Sequence, residues 1–340
     1  MKQILNIGEM RLNLPLIFVV VFGMLWSGCD QNPLEVDISN VDTNVEVKRY
    51  EQALYSLNKE NFNEKLPDLL QEYPAFLMGD MNDELFLKEI RKMVFYPLNQ
   101  KLYTDLNERI SEEQFSQIEN ELKGLFKHLK YYYPESNIQT VYTYISGLGY
   151  EQGNVFVNDS IVVAAIDLFL GADYKVYEQY GLYKYQVKKM TPAHLSVEVA
   201  RELSKYYIPA TEGNLTLLEE MIFEGKIQYF MEAMLPKKPQ HVLLEYTPEE
   251  YHYCEESVGR LWRYLVEKEL LYSKDHMETK RFIEDGPFTS SLERESPGRI
   301  GAYVGLQIVK AYVNKTGATL KEVMNETALL NIFEGSKYRP

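Results

Sequence analysis

The 340-residue sequence is short of the residues that most often do chemistry. It has two cysteines, Cys29 and Cys254, and five histidines. With Cys29 at the end of the leader, Cys254 has no internal disulfide partner, so an exported chain of this kind is held by its core. His128, His241, His252 and His276 stand alone, without metal-ligand spacing. Gly147, Gly149 and Gly153 lie between strand-like runs and read as hairpin turns, so there is no glycine-rich phosphate loop. The Ser257-Val258-Gly259 and Ser290-Ser291 stretches lack a nucleophile elbow. Positive charge is also scarce: 36 Lys and Arg stand against 50 Asp and Glu, for a formal charge of −14. That excludes electrostatic binding of nucleic acid or of anionic lipid heads as the main activity. The longest apolar run, Leu14 to Leu25, falls short of the roughly 20 residues that span a bilayer.

What is present begins with an export signal. Lys2 and Arg11 precede LPLIFVVVFGML, which has the length of a signal h-region, and Trp26-Ser27-Gly28 then lead to Cys29. Small residues before a lone cysteine resemble a bacterial lipobox, with Leu25 one position further out than usual. Residues 1–28 are therefore expected to be a lipoprotein signal peptide, with Cys29 carrying the lipid, and the acyl chains give the two signals that stable anchoring needs. The leader is net +1, so the remainder is slightly more acidic still. Residues 29–45 are polar and acidic and read as a tether, and 46–340 as one domain.

Within that domain, VKRYEQALYSLNKENFNEKLPDLLQEYPAFL has helical periodicity with breaks at Asn and Pro. ISEEQFSQIENELKGLFKHLKYYYP is a longer amphipathic helix, with Ser111 to Glu113 at its start. NIQTVYTYISGLGYEQGNVFVNDSIVVAAIDLFLG is β-branched and aromatic, and predicts two or three strands turning near Gly147–Gly153 and at Asn158-Asp159. Four more helices are predicted over 192–207, 215–234, 247–271 and 297–314, with Ser296 as cap and Pro297 as first residue of the last. Gly298, Gly301 and Gly305 lie near one face of that helix and need a packing reason, since each costs about 1 kcal/mol against alanine. The 27 tyrosines read mainly as amphipathic packing at the core edge. The fold class is α+β, mainly helical with a small sheet.

The segment RELSK (201–205) carries the candidate site. With histidine at 201 and 205 it would be H-E-x-x-H, whose two imidazoles share one helix face around zinc while the glutamate activates water. After Lys205 come 18 residues and then Glu224, in the setting EGKIQYF, where one zinc-peptidase class places a third ligand. Arginine has no lone pair to give, and lysine must first lose a proton. The expectation is therefore a degenerate metal site at Arg201, Glu202, Lys205 and Glu224, with no metal and no cofactor. An internal salt-bridge cluster of Arg201, Lys205 and Glu224 would replace the ion. His194 and Glu198, one turn apart, together with Glu220, form a weaker alternative metal set. Arg299, in the PGR turn, either reaches a carboxylate of the cleft or lies on the surface.

Taken together, SPGRIGAYVGLQIVKAY, RFIEDGPFT, LLEEMIFEGKIQYF, IDLFLGADYKVY and the leader resemble the gliding motility lipoprotein GldB family over nearly all of the mature chain. The resemblance implies a zincin-like (gluzincin-type) layout and a place in the envelope machinery of gliding bacteria, although members also occur in non-gliding relatives. The function expected is that of a non-enzymatic, lipid-anchored, periplasm-facing protein. Its pseudo-metallopeptidase domain would serve as scaffold or binding surface for envelope protein partners of the gliding or secretion apparatus. An active periplasmic hydrolase and a peptide- or glycan-binding lipoprotein are the alternatives. Sequence does not distinguish inner from outer membrane.

Overall fold

A computed structural model describes residues 32–340, apart from 75, 78, 151, 152 and 212. The signal peptide and Cys29 lie outside the described residues. Residues 33–340 form one compact unit.

The unit opens on β1 (Glu46–Arg49), followed by α1 (Tyr50–Tyr55), α2 (Phe62–Glu72), α3 (Glu84–Val94), α4 (Pro97–Arg109) and α5 (Glu112–Tyr132). Three strands follow, β2 (Thr140–Tyr144), β3 (Val155–Val157) and β4 (Ile161–Ala165). The short α6 (Lys175–Gln179) and α7 (Lys184–Val187) lead to α8 (Pro192–Tyr207), α9 (Leu217–Met234), α10 (Gln240–Leu243) and α11 (Pro248–Glu267). The chain ends with α12 (His276–Ile283), α13 (Ile300–Thr316), α14 (Leu320–Asn325) and α15 (Leu329–Ser336). The protein is mainly helical with a four-stranded sheet, an α+β architecture.

The sheet runs in the order β1-β2-β4-β3. β1 and β4 flank β2 in parallel, while β3 joins β4 antiparallel. The β3–β4 turn is the expected Asn-Asp hairpin: Asn158 Oδ1 accepts from the amides of Ser160 and Ile161, both at 2.9 Å. Two expectations fail here. The glycine-rich stretch 147–153 is no hairpin, because β2 pairs with β4 and not with β3. Ser146 and Leu148 are instead held by the buried Asp167 carboxylate, which accepts from their amides at 2.8 and 2.9 Å. β1 was expected within a helical run. Its pairing with β2, more than 90 residues away, overrides local propensity. Residues 33–45, read as tether, bring Leu34 and Val45 into the core.

Several helices begin where their caps predict. Ser111 Oγ accepts from the Gln114 amide at 3.2 Å and Gln114 Oε1 accepts from the Ser111 amide at 3.0 Å, a reciprocal box that starts α5. Pro192 supplies the first turn of α8. α9 is buried on almost every side, as expected of a central helix. α13 crosses it in backbone contact: a Cβ on Gly305 would overlap the Met221 carbonyl, and one on Gly225 would overlap Gly305. This is the packing reason for Gly305, while a Cβ on Gly301 would meet the Phe282 carbonyl and one on Gly298, before the helix, the Gly286 carbonyl. The start of α13 differs from expectation. The helix begins at Ile300 with Arg299 as its N-terminal flank, in left-handed backbone (φ 56°). Ser296 Oγ instead donates to the Glu293 carbonyl at 2.7 Å, closing a turn before the helix.

Candidate functional site

The α9–α13 crossing sets Glu224, beside Gly225, next to Arg299 at the head of α13. α8 packs on the other flank of α9. Its residues His194, Glu198, Arg201 and Lys205 fall at i, i+4, i+7 and i+11, on one face. That face rises out of the core along its length. Glu198 is 9% exposed, the Arg201 side chain 16% and the Lys205 side chain 63%.

Arg201 therefore reaches inward. Its Nη1 lies 3.9 Å from Glu224 Oε2, and its Nη2 donates to Glu245 Oε2 at 3.1 Å. Arg299 Nη1 donates to the same Glu245 oxygen, and Arg299 Nη2 lies 3.6 Å from Glu224. Lys189 approaches Glu245 at 3.7 Å and pairs with Asp285 at 2.8 Å. Gln228, one turn beyond Glu224 on α9, sets its amide between Arg201 Nη2 and the Leu243 carbonyl, where the oxygen would accept from the first at 3.3 Å and the nitrogen donate to the second at 3.1 Å.

Of the expected cluster the structure brings Arg201 and Glu224 together, and of the two readings left open for Arg299 it shows the one that reaches a carboxylate. Lys205 does not join them. It lies in the last turn of α8, where the negative helix end favours a cation, and pairs there with Glu202 at 2.6 Å. Both members of that pair face outward from the network. The weaker metal set does not assemble: Glu220 is not grouped with His194 and Glu198, and the His194 imidazole is bonded to Thr191 Oγ1 at 2.8 Å. Among the described residues no group of three or more His, Cys, Asp or Glu side chains is arranged to hold a metal. Zinc does not fit the residues present: the two guanidiniums at Glu224 offer no lone pair, and they occupy the space of other donors.

Glu245 is the hub, and no local spacing announces it. It sits in the turn after α10 with left-handed backbone (φ 61°) and is 4% exposed. Glu245 and its partner Arg299 are two of the five non-glycine residues with positive φ among those described. Such conformations cost about 1–3 kcal/mol each and persist only where the surroundings enforce them. The Tyr246 hydroxyl donates to the Arg299 carbonyl at 2.9 Å, tying the two strained turns a second time. Glu198, named from sequence only as part of the weaker metal set, shares the helix face of Arg201.

The electrostatics of the network follow from its burial. Desolvation, followed by the neighbouring Glu245 carboxylate, pushes Glu198 up to about 8, so it keeps its proton at neutral pH. Burial would raise Glu245 too, but Arg201, Lys189 and Arg299 outweigh it and hold the group well below the usual carboxylate range. Burial pulls His194 down to about 4, with Lys238 and Lys189 adding to the shift against the pull of Glu245. The cluster sets three basic side chains (Lys189, Arg201, Arg299) against the carboxyl groups of Glu224, Glu245 and Asp285, with Glu198 neutral. Its formal charges balance within the network, while Arg201 Nε, Glu245 Oε1 and Arg299 Nη2 are buried there without a hydrogen-bond partner.

No curated relative and no solved structure matches the chain. The family described as gliding motility protein GldB matches residues 31–340, which includes every element described above. The chain belongs to the GldB family.

Proposed function

We propose that this protein is a non-enzymatic lipoprotein of the cell envelope that serves the gliding or secretion machinery. Cys29 is its lipid attachment point, and its zincin-like domain is a scaffold or binding surface for envelope proteins. Family membership supports the association with gliding motility and with lipid anchoring. The α8–α9 pair beside a sheet that ends in antiparallel β3 supports the zincin-like descent, as does the Tyr206 hydroxyl that donates to the Val157 carbonyl between α8 and β3.

The observation that carries the non-enzymatic reading is the pair of guanidiniums, Arg201 and Arg299, that both approach Glu224 Oε2. Two permanent cations against Glu224 would repel a divalent ion and cannot themselves ligate it. They pull the Glu224 charge into an internal balance instead. Glu202, the position of the water-activating base, faces away and is neutralised by Lys205. A peptidase screen of the purified full chain, with and without chelator, tests this reading. No chelator-sensitive cleavage is expected. Cleavage that chelator blocks and Glu202→Ala abolishes would contradict it.

A further inference from the structure

A second site, which shares no lining residue with the ion network, lies between α11 and the loop that precedes α13. Tyr253, Ser257, Arg260 and Tyr264 fall at i, i+4, i+7 and i+11 on one face of α11. Opposite them, Ser291, Leu292 and Glu293 complete a cavity of about 370 Å³, with Leu261 and Ile300 as its buried floor. An apolar, aromatic floor with a few convergent polar groups is the usual composition of a ligand pocket.

The mouth of this pocket is held by one carboxylate. Glu293 Oε1 accepts from Arg260 Nη1 at 3.4 Å, and Glu293 Oε2 accepts from the Tyr253 hydroxyl at 3.2 Å. Arg260 is steadied from behind, its Nη2 donating to Ser257 Oγ at 2.7 Å. Ser291 Oγ accepts from Arg281 Nη1 at 2.8 Å and keeps its own hydrogen to donate. The arrangement is a carboxylate receptor filled by a side chain of the same molecule. The bridge is weak, because the Arg260 and Glu293 side chains are 63% and 58% exposed, and exposed pairs contribute little. A carboxylate that brings its own apolar group would displace Glu293 at small cost and gain the buried floor.

We infer that this pocket binds the free C-terminus of a partner polypeptide ending in an apolar residue. Arg260 and Tyr253 take the terminal carboxylate in place of Glu293, and Ser291 donates to it. Leu261, Leu292, Ile300 and the Tyr264 ring receive the last side chain. Tyr338 packs edge-on against Trp262, which lies on the opposite face of α11 from the pocket. The Ser291 hydroxyl suits a peptide, with amide groups to bond, better than a plain acyl chain.

The test uses the full chain in non-ionic detergent and a fluorescein-labelled hexapeptide ending in Ala-Leu, read by anisotropy. The free-acid peptide is expected to bind at least about tenfold more tightly than its C-terminal amide, and Arg260→Gln to lose a similar factor, as fits a charge-assisted contact. Glu293→Gln removes the internal competitor and is expected to tighten binding by about two- to fivefold, the scale of an exposed ion pair. Both substitutions are at exposed positions, and circular dichroism checks that each variant is folded. The proposal is overturned by equal binding of the acid and the amide, or by an Arg260→Gln variant that binds as well as wild type. It is also overturned if Glu293→Gln shows no binding at millimolar peptide, or if decanoate displaces the peptide more effectively than unlabelled peptide does.

Discussion

Arg201 and Lys205 are one turn apart on the same face of α8, yet they have opposite surroundings. Arg201 is sunk among Glu224, Glu245 and Gln228, whereas Lys205 is in solvent beside Glu202. A periodicity fixes direction around the helix axis, but not depth. Depth comes from what packs against each turn, and α8 leaves the core in its last turn. The inner end of this face is therefore structural machinery in which each charge depends on the others. The outer end is an ordinary solvated pair.

The comparison breaks most sharply at the hub. Glu245→Gln keeps shape and volume but leaves three cations without their shared anion. It should lower stability by about 3–5 kcal/mol in urea unfolding, the usual cost of stripping one partner from a buried pair. A loss below about 1 kcal/mol would mean that the network is solvated and not an enclosed unit.

A smaller effect is expected from pH. Glu198 is raised in the folded state, so folded protein holds a proton there that unfolded chain has released above about pH 4.5. That contribution to stability is full below the unfolded value and is lost as pH rises through the folded value near 8. His194 is lowered to about 4 and acts in the opposite sense between about pH 4 and 6.5, so the two offset one another there. Between about pH 6.5 and 8 Glu198 acts without that offset, and stability should fall by up to about 2 kcal/mol, given about 1.4 kcal/mol per proton per pH unit. Glu51, Asp167 and Glu220, also raised by burial, act in the same sense as Glu198. The difference between wild type and Glu198→Gln therefore isolates its share. If that variant shows the same slope as wild type, the proton is not held at Glu198.

The smallest effect belongs to the outer pair. Lys205→Ala and Glu202→Ala should each change stability by less than about 0.5 kcal/mol in the same urea assay. A loss as large as that of Glu245→Gln would place Lys205 inside the network after all.

What sequence revealed and what it hid divide along the same line of depth and distance. The spans of α5, α8 and α9 were legible, because capping chemistry and apolar period act within a few residues: Ser111 and Gln114 at α5, and Pro192 at α8. Arg201 and Glu224 were legible as a pair because one helix turn and one intervening loop fix their separation. β1 was not, since EVKR becomes a strand only by pairing with residues 140–143. Glu245 was not, since it reaches the site through a left-handed turn that no spacing motif describes. Lys189 and Asp285 were hidden for the same reason, as both come from loops at sequence-distant points. The start of α13 was misplaced because Ser296-Pro297 is a good local cap. The tertiary ion pairs of Arg299 hold the turn open for three further residues.

The central claim, that internal ion pairs stand where a metal would be bound, is tested most directly by metal analysis. The full chain would be purified from envelopes without chelator, and its zinc content measured beside that of Glu224→Gln. The account predicts far less than one zinc per chain in both proteins. One zinc per wild-type chain, lost in Glu224→Gln while the fold persists, would contradict it.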